Sequence, residues 1–495
     1  MSYLIGYDVG SSSVKASLIE AATGKLIVAA TSPTDTELEI MAPKPGWAEQ
    51  HPSVWWEHVK LVTAKIREKA GTALADVSAI GISYQMHGLV VVDKQQEVLR
   101  PAIIWCDSRA VKIGEQAFSE IGEETCLQHF LNSPGNFTAS KLKWVKDNEP
   151  EIFQKIHKAM LPGDYIAMKM TGEIKTTPSG LSEGILWDFV QNGVAHRVLD
   201  YFQIDSSLLP ETLPTFSIQG ELTPKAAEEL GLKSGIKVSY RAGDQPNNAF
   251  SLNVLNPGEL AATAGTSGVV YGVIDEANYD PKSRVNTFVH VNHEPKAARY
   301  GVLLCLNGTG ILNRWMKNNF AKGLTYVEMN DLAAQTRVGA DGLSILPYGN
   351  GAERTLENKN IGATIYGLDL NIHNRSHMLR AAQEGIVFAL NYGLEIMSKM
   401  GMSIQTVKAG HANMFLSPLF SQAFAAVTGA TVELYNTDGS QGAARGAGVG
   451  AGIYKDYGQA FTGLKTIQTI KPDQNLIPQY REAYERWLGY LKERM

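Results

Sequence analysis

Four short stretches carry residue types that could do chemistry together. The first is Asp8-Val9-Gly10-Ser11-Ser12-Ser13-Val14-Lys15, a carboxylate beside a turn of small residues and a cation. Small residues let backbone N–H groups and hydroxyls approach an anion closely. A carboxylate at the strand end suits Mg²⁺ or its water shell near phosphates. The second, Gly265-Thr266-Ser267-Gly268, repeats the small-residue turn about 255 residues later. Third comes Arg241-Ala242-Gly243-Asp244-Gln245-Pro246-Asn247-Asn248. Phosphoryl transfer needs a carboxylate beside the attacking hydroxyl to orient it and take its proton, and Asp244 is placed to do so. The fourth, Tyr84-Gln85-Met86-His87-Gly88, puts a polar cluster at a strand end. Taken singly, each stretch also fits an ordinary turn or a structural histidine.

These residues need elements to hold them. Residues 4–9 and 14–19 read as a hairpin, 26–30 as a third strand, and 53–69 as a helix capped by Ser53. Residues 77–83 and 89–93 read as further strands. Strand, Gly/Ser/Thr turn, strand recurs at 258–274, so two halves opening on the same local plan are expected. Apolar residues at Leu379, Ala382, Ile386, Ala389, Leu390 and Met397 mark a core-facing helix over 375–399. A terminal amphipathic helix carries Tyr480, Tyr484, Trp487, Leu488 and Leu491. Strands alternating with helices indicate an α/β fold with a mixed sheet.

Composition closes off several function classes. The 495 residues are 44% apolar and 19% charged, as in a globular chain with large cores. Lys and Arg number 45 against 50 Asp and Glu, a net charge of −5, which leaves no basic field for nucleic acid. The three cysteines, Cys106, Cys126 and Cys305, form no CxxC pair, and a reducing, cytoplasmic setting is expected. Cys106 reads as a packing residue. No run of about 18 apolar residues could span a membrane. Neither GxxxxGK[ST] nor a GxGxxG after the first strand occurs, which argues against a P-loop enzyme and a dinucleotide dehydrogenase.

The blocks, taken in order, resemble the FGGY carbohydrate kinases. They are the Asp8–Lys15 hairpin, Gln85-Met86-His87-Gly88, and Leu99-Arg100-Pro101-Ala102-Ile103-Ile104-Trp105 leading to Asp107 and Arg109. Phe137-Thr138 through Lys141-Leu142 and Trp144-Val145 follow, then Leu161-Pro162-Gly163-Asp164-Tyr165. Gly243-Asp244, Gly265-Thr266-Ser267-Gly268 and Gly442-Ala443-Ala444-Arg445-Gly446 complete the series. The resemblance implies two actin-like (ribonuclease H-like) α/β domains around an interdomain cleft, expected at 1–244 and 245–495. It implies ATP and Mg²⁺ as cofactors, and suggests a homodimer.

By the same resemblance Asp244 is the catalytic base, Asp8 the residue near the metal and the transferred phosphoryl group, and Met86, His87 and Gln245 sugar contacts. Ser11, Ser12, Ser13, Lys15, Gly265, Thr266, Ser267, Gly410 and Asn413 fall at nucleotide contacts. The Met86–His87 pair points to D-xylulose as acceptor, with ribulose, gluconate and glycerol as alternatives within the family. A non-kinase actin-like ATPase is the alternative from another class. Two blocks depart from the family pattern: Gln245 stands where relatives often carry Asn, and Ala409-Gly410-His411-Ala412 replaces a Gly-Gly-Gly-Ala run. For Arg109 the expectation is a structural ion pair with Asp107.

Overall fold

The computed structural model describes residues 2–495. Two compact units make up the chain. Unit 1 holds the chain up to Asn253 with Phe288–Tyr300 and Thr437–Leu464; unit 2 holds Val254–Thr287, Gly301–Asn436 and Lys465–Met495. The strands of the two large sheets are β1 (Tyr3–Val9), β2 (Val14–Glu20), β3 (Leu26–Ser32), β4 (Val77–Tyr84), β5 (Phe216–Glu221) and β6 (Lys237–Gly243). They continue with β7 (Leu260–Ala264), β8 (Gly268–Ile274), β9 (Asn286–Val289), β10 (Tyr300–Leu306), β11 (Thr406–Gly410), β12 (Thr431–Tyr435) and β13 (Thr466–Ile470). The helices that bear on the site are α1 (Pro52–Ala70), α2 (Pro162–Thr171), α3 (Pro178–Glu183), α4 (Asp244–Ser251) and α5 (Gly310–Phe320). With them go α6 (Arg375–Lys399), α7 (Pro418–Thr428), α8 (Gly439–Gly450) and α9 (Ile477–Arg494).

Unit 1 is built on a six-stranded sheet in the order β5-β6-β4-β1-β2-β3. The expected hairpin is present: β1 and β2 are antiparallel, with Asp8 opposite Lys15 and Val9 opposite Val14. β1 also runs parallel to β4, which places the ends of both strands side by side. Leu4, Ile5, Tyr7 and Val9 are all buried, as a central strand covered on both faces requires. On one face Ile5, Tyr7, Ile80 and Ile82 join Trp55 and Val59 of α1 in a single core. The alternate residues, Gly6 and Gly81, face α8. A Cβ on either would lie 2.0 Å from a backbone oxygen of that helix, Ser440 O and Ala443 O respectively. Glycine here allows helix and sheet backbones to touch.

That close approach explains a departure from the expected organisation. A single cut between residues 244 and 245 does not follow the compact units, because α4 and the segment Thr437–Leu464 both belong to unit 1. The Gly442–Gly446 block therefore packs on β1, β4 and β6. Gly446 makes room for the Tyr240 ring, which a Cβ would meet at 2.5 Å. Asn247 Nδ2 of α4 donates to Gly439 O at 2.8 Å, tying α4 to α8.

Two local expectations also shift. Helix α1 starts at Pro52, whose fixed φ suits the first helical turn, so His51 rather than Ser53 is the cap. The 89–93 stretch supplies a short strand, Val90–Val92, that pairs with Lys158–Met160 outside the large sheet.

Unit 2 repeats the plan around a seven-stranded sheet, β9-β10-β8-β7-β11-β12-β13. β7 and β8 form an antiparallel hairpin and β7 runs parallel to β11. Helix α6 spans the expected residues, capped by Asn374 and buried along most of its length. Tyr480, Tyr484, Trp487 and Leu491 of α9 enter the same core, with Leu488 partly buried against it.

Candidate functional site

In unit 1 the ends of β1, β4 and β6 bring together Asp8, the Met86–His87 segment and Asp244. Asp8, the penultimate residue of β1, accepts a hydrogen bond from Ser83 Oγ through Oδ1 at 2.9 Å. Burial raises its pKa above the ordinary carboxylate value; Lys15 and Ser83 pull it back, and Asp438 pushes it up. The following turn is closed by Gly10 N–H donating to Ser13 O at 3.0 Å. Ser12 is exposed at its tip, Ser11 and Ser13 are half-buried, and Lys15 is exposed.

Asp244 is the first residue of α4, directly after β6, with Gly243 as the helix cap. The Asp244 carboxylate accepts hydrogen bonds from the backbone N–H groups of Asp244 and Gln245 at the helix start and from the Gln245 side chain. Burial pushes it up to about 7, with the like charge of Asp8 as the second cause, against hydrogen bonds from Gln245. Near pH 7 such a carboxyl exchanges its proton readily, as a general base must. Gly243 fits beneath the Met86 side chain, since a Cβ there would meet Met86 Cγ at 2.6 Å.

His87 sits beside these groups with a left-handed backbone, φ 60. Its ring is flanked by Phe137 at 4.8 Å and Phe288 at 5.5 Å. Glu183, the last residue of α3, reaches the same place. Its Oε1 accepts from Tyr84 Oη–H at 2.6 Å and its Oε2 from His87 N–H at 3.1 Å. Burial holds the Glu183 carboxyl well above the usual range, helped by the charges of Asp244 and Asp164. Sequence reasoning missed Glu183. Its neighbourhood, Ser179-Gly180-Leu181-Ser182-Glu183-Gly184, reads locally as a turn and gives no signal of a buried acid.

In unit 2, Gly265-Thr266-Ser267 forms the β7–β8 turn. Gly265 O accepts from Gly310 N–H at 2.9 Å and Thr266 O from Ile311 N–H at 3.2 Å, so the turn rests on the start of α5. Gly410 ends β11, the strand beside β7, and Asn413 follows with φ 55. A Cβ placed on Gly265 would lie 3.6 Å from Asn413 Nδ2, so the turn and the Gly410–Asn413 loop are neighbours. Ala409 is buried within its strand, whereas His411 is exposed with its N–H donated to Tyr435 O at 2.8 Å.

The Trp105–Arg109 block is largely structural. Arg109 pairs with Asp107 and Glu49, each at 2.7 Å, and lies over the Trp47 ring at 3.8 Å. Trp105 is exposed, with its indole N–H 3.3 Å from Ser11 Oγ. Cys106 is exposed rather than packed, a correction, because the loop turns outward at Trp105-Cys106 before Asp107 returns to the interior. Its thiol is nonetheless not activated: partial desolvation raises its pKa.

Among the described residues no group of three or more His, Cys, Asp or Glu could hold a metal ion by itself. One half-buried carboxylate near a strand end, Asp8, fits a Mg²⁺ ion held chiefly by phosphate oxygens and water. No helix among the described residues is long and apolar enough to cross a membrane.

Family models place this geometry. Residues 3–251 match the N-terminal domain of the FGGY family of carbohydrate kinases, and residues 260–453 match its C-terminal domain. The chain belongs to the FGGY family. As an FGGY kinase it is an ATP-dependent sugar kinase. Its relatives include the xylulose kinase of Bacillus subtilis (strain 168), 30% identical over 412 residues, covering 82% of this chain and 80% of that protein. The xylulose kinase of Escherichia coli (strain K12) is 29% identical, covering 97% of this chain and 98% of its own. Among solved structures, the xylulose kinase from Rhodospirillum rubrum superposes with a TM-score of 0.87 at 26% identity, covering 99% of this FGGY chain and 98% of that one.

Proposed function

We propose that this FGGY kinase transfers the terminal phosphoryl group of ATP to the terminal primary hydroxyl of D-xylulose, giving D-xylulose 5-phosphate and ADP. The observation that carries the reading is Asp244, a half-buried residue whose carboxyl pKa is raised to about 7, grouped with Met86 and His87. In the reaction Asp244 orients O5 and takes its proton as the O5–phosphorus bond forms. The bond from phosphorus to the bridging oxygen breaks, and ADP leaves with the electron pair. Met86 gives the sugar an apolar contact, while His87 and Gln245 fix its register by hydrogen bonds. Asp8 would hold Mg²⁺ through water, and the bound ion neutralises phosphate charge. Ser11–Ser13, Lys15 and Gly265–Ser267 contact the phosphates; Gly410 and Asn413 bind the nucleoside end. Alignment and charge neutralisation are asked of the protein, rather than covalent chemistry. Three cysteines without a CxxC pair suit a reducing cytoplasm, and a homodimer is the assembly to test by light scattering.

One residue favours a second acceptor: Gln245 is a methylene longer than the Asn common in D-xylulose-type members, which keeps ribulose, gluconate and glycerol in play. A coupled ADP-release assay with MgATP on D-xylulose, D-ribulose, L-xylulose, gluconate and glycerol separates these. Turnover led by D-xylulose and nearly abolished in Asp244→Asn is expected. Leadership by another polyol would replace the sugar and keep the kinase. ATP hydrolysis indifferent to every sugar and to Asp244→Asn would overturn the reading.

A further inference from the structure

His87 holds a left-handed backbone. A positive φ, 60 here, is uncommon for a side chain with a Cβ, and it persists where neighbours impose it. Here two buried ionisable side chains impose it from opposite ends of the residue. The His87 N–H donates to Glu183 Oε2 at 3.1 Å. The His87 carbonyl accepts from Lys141 Nζ at 2.8 Å, and the same ammonium donates to Ile104 O at 3.0 Å. Glu183 is 1% exposed and Lys141 is fully buried. Tyr84 Oη–H, 2.6 Å from Glu183 Oε1, fixes the carboxyl in place.

The imidazole is fixed as well. His87 Nδ1 lies 2.9 Å from the Glu183 carbonyl oxygen. A carbonyl oxygen only accepts, so Nδ1 must carry the hydrogen.

We propose that Glu183 and Lys141 are positioning residues that set the affinity for the sugar through His87, locking its backbone and, through the Glu183 carbonyl, its ring. The proposal rests on the reading of His87 as a sugar contact.

The test is a mutant cycle read by steady-state kinetics. Glu183→Gln and Lys141→Gln are each made in the wild-type and His87→Ala backgrounds. In the wild-type background each raises KM for the sugar about tenfold and leaves KM for ATP within about twofold. In the His87→Ala background each adds less than about twofold, because the residue they act through is gone. Equal losses in both backgrounds, or parallel rises in both KM values, would overturn the proposal. A second readout uses the unmodified protein: ¹⁵N-histidine NMR should show the hydrogen of His87 on Nδ1. An Nε2–H tautomer would overturn the proposal even if the variants failed to fold. Should the wild-type protein phosphorylate no sugar, the kinase reading fails by itself, and the NMR result still decides the tautomer.

Discussion

In the first sheet the strands run β3-β2-β1-β4-β6-β5, and β10-β8-β7-β11-β12-β13 repeats that sequence of roles in the second, with β9 added at its edge. The inner pairs are parallel in both, β1 with β4 and β7 with β11. The outer pairs, β6 with β5 and β12 with β13, are antiparallel in both. What stands at the strand ends differs. β1 carries Asp8 one residue before its end at Val9, whereas its counterpart β7 ends at Ala264 and runs into Gly265. β6 hands on to α4 at Asp244, and β12 hands on, through Asn436 and Thr437, to α8 at Asp438. Asp438 is consumed by capping: its Oδ1 accepts from Ser440 Oγ at 2.8 Å and from Gln441 N–H at 3.0 Å. Asp244 stands one position further in, behind a glycine cap, where burial raises its carboxyl to about 7. One scaffold, used twice, thus yields ionisable groups at one set of strand ends and mainly backbone groups at the other.

Substituting the paired aspartates tests this contrast most severely. Asp244→Asn should lower kcat by about 1000-fold, the scale of a lost general base. Asp438→Asn should stay within about threefold, since Asn caps a helix as well as Asp. Equal losses would erase the distinction. In the unmodified enzyme kcat/KM should rise with pH and level off above about pH 7, as Asp244 loses its proton.

Next in size is Asp8→Asn, expected to cost about 100-fold in kcat through lost charge placement near the phosphates. The same change should lower the Asp244 titration below about 7, because Asp8 is the like charge that raises it; carboxyl NMR reads this directly. On the second sheet, Gly310→Ala would put a Cβ 2.3 Å from Gly265 O and displace the turn. An increase in KM for ATP of about tenfold, with KM for the sugar unchanged, is the expected result.

The smallest effect concerns stability. A carboxyl whose folded pKa is raised resists ionisation in the folded state, so its contribution is lost as pH climbs from the ordinary value near 4 through about 7. Asp244→Asn should therefore raise Tm by about 3 °C at pH 8 and not at pH 4. A scan showing the reverse order would contradict the raised pKa of Asp244.

Much of the scaffold could be read from the chain because it is written in local periodicity. Alternation gave the two hairpins, and the apolar stripe from Leu379 to Met397 gave α6 at its observed ends. Asp8, Met86, His87 and Asp244 were legible as a set because each lies at a strand end, beside glycine or small residues. The placement of α8 was not, since it depends on Gly6 and Gly81 meeting a helix more than 350 residues away. No local pattern encodes a contact made by the absence of a side chain. Glu183 stayed hidden for a related reason: its partners Tyr84 and His87 are about 100 residues distant, and only folding shows that the acid is buried. His51 was passed over as a cap because Pro52 shifts the helix start by one residue.

The late arrival of α8 bears on biosynthesis. While the ribosome is still making unit 2, the face of β1, β4 and β6 that α8 will cover has no helix against it. Thr437 follows Asn253 by 184 positions, a delay of roughly 10–40 s at ordinary elongation rates. Throughout that interval the nascent chain carries an open sheet face, a surface suited to a chaperone. A release halted before residue 437 would leave the first unit without the helix that closes it.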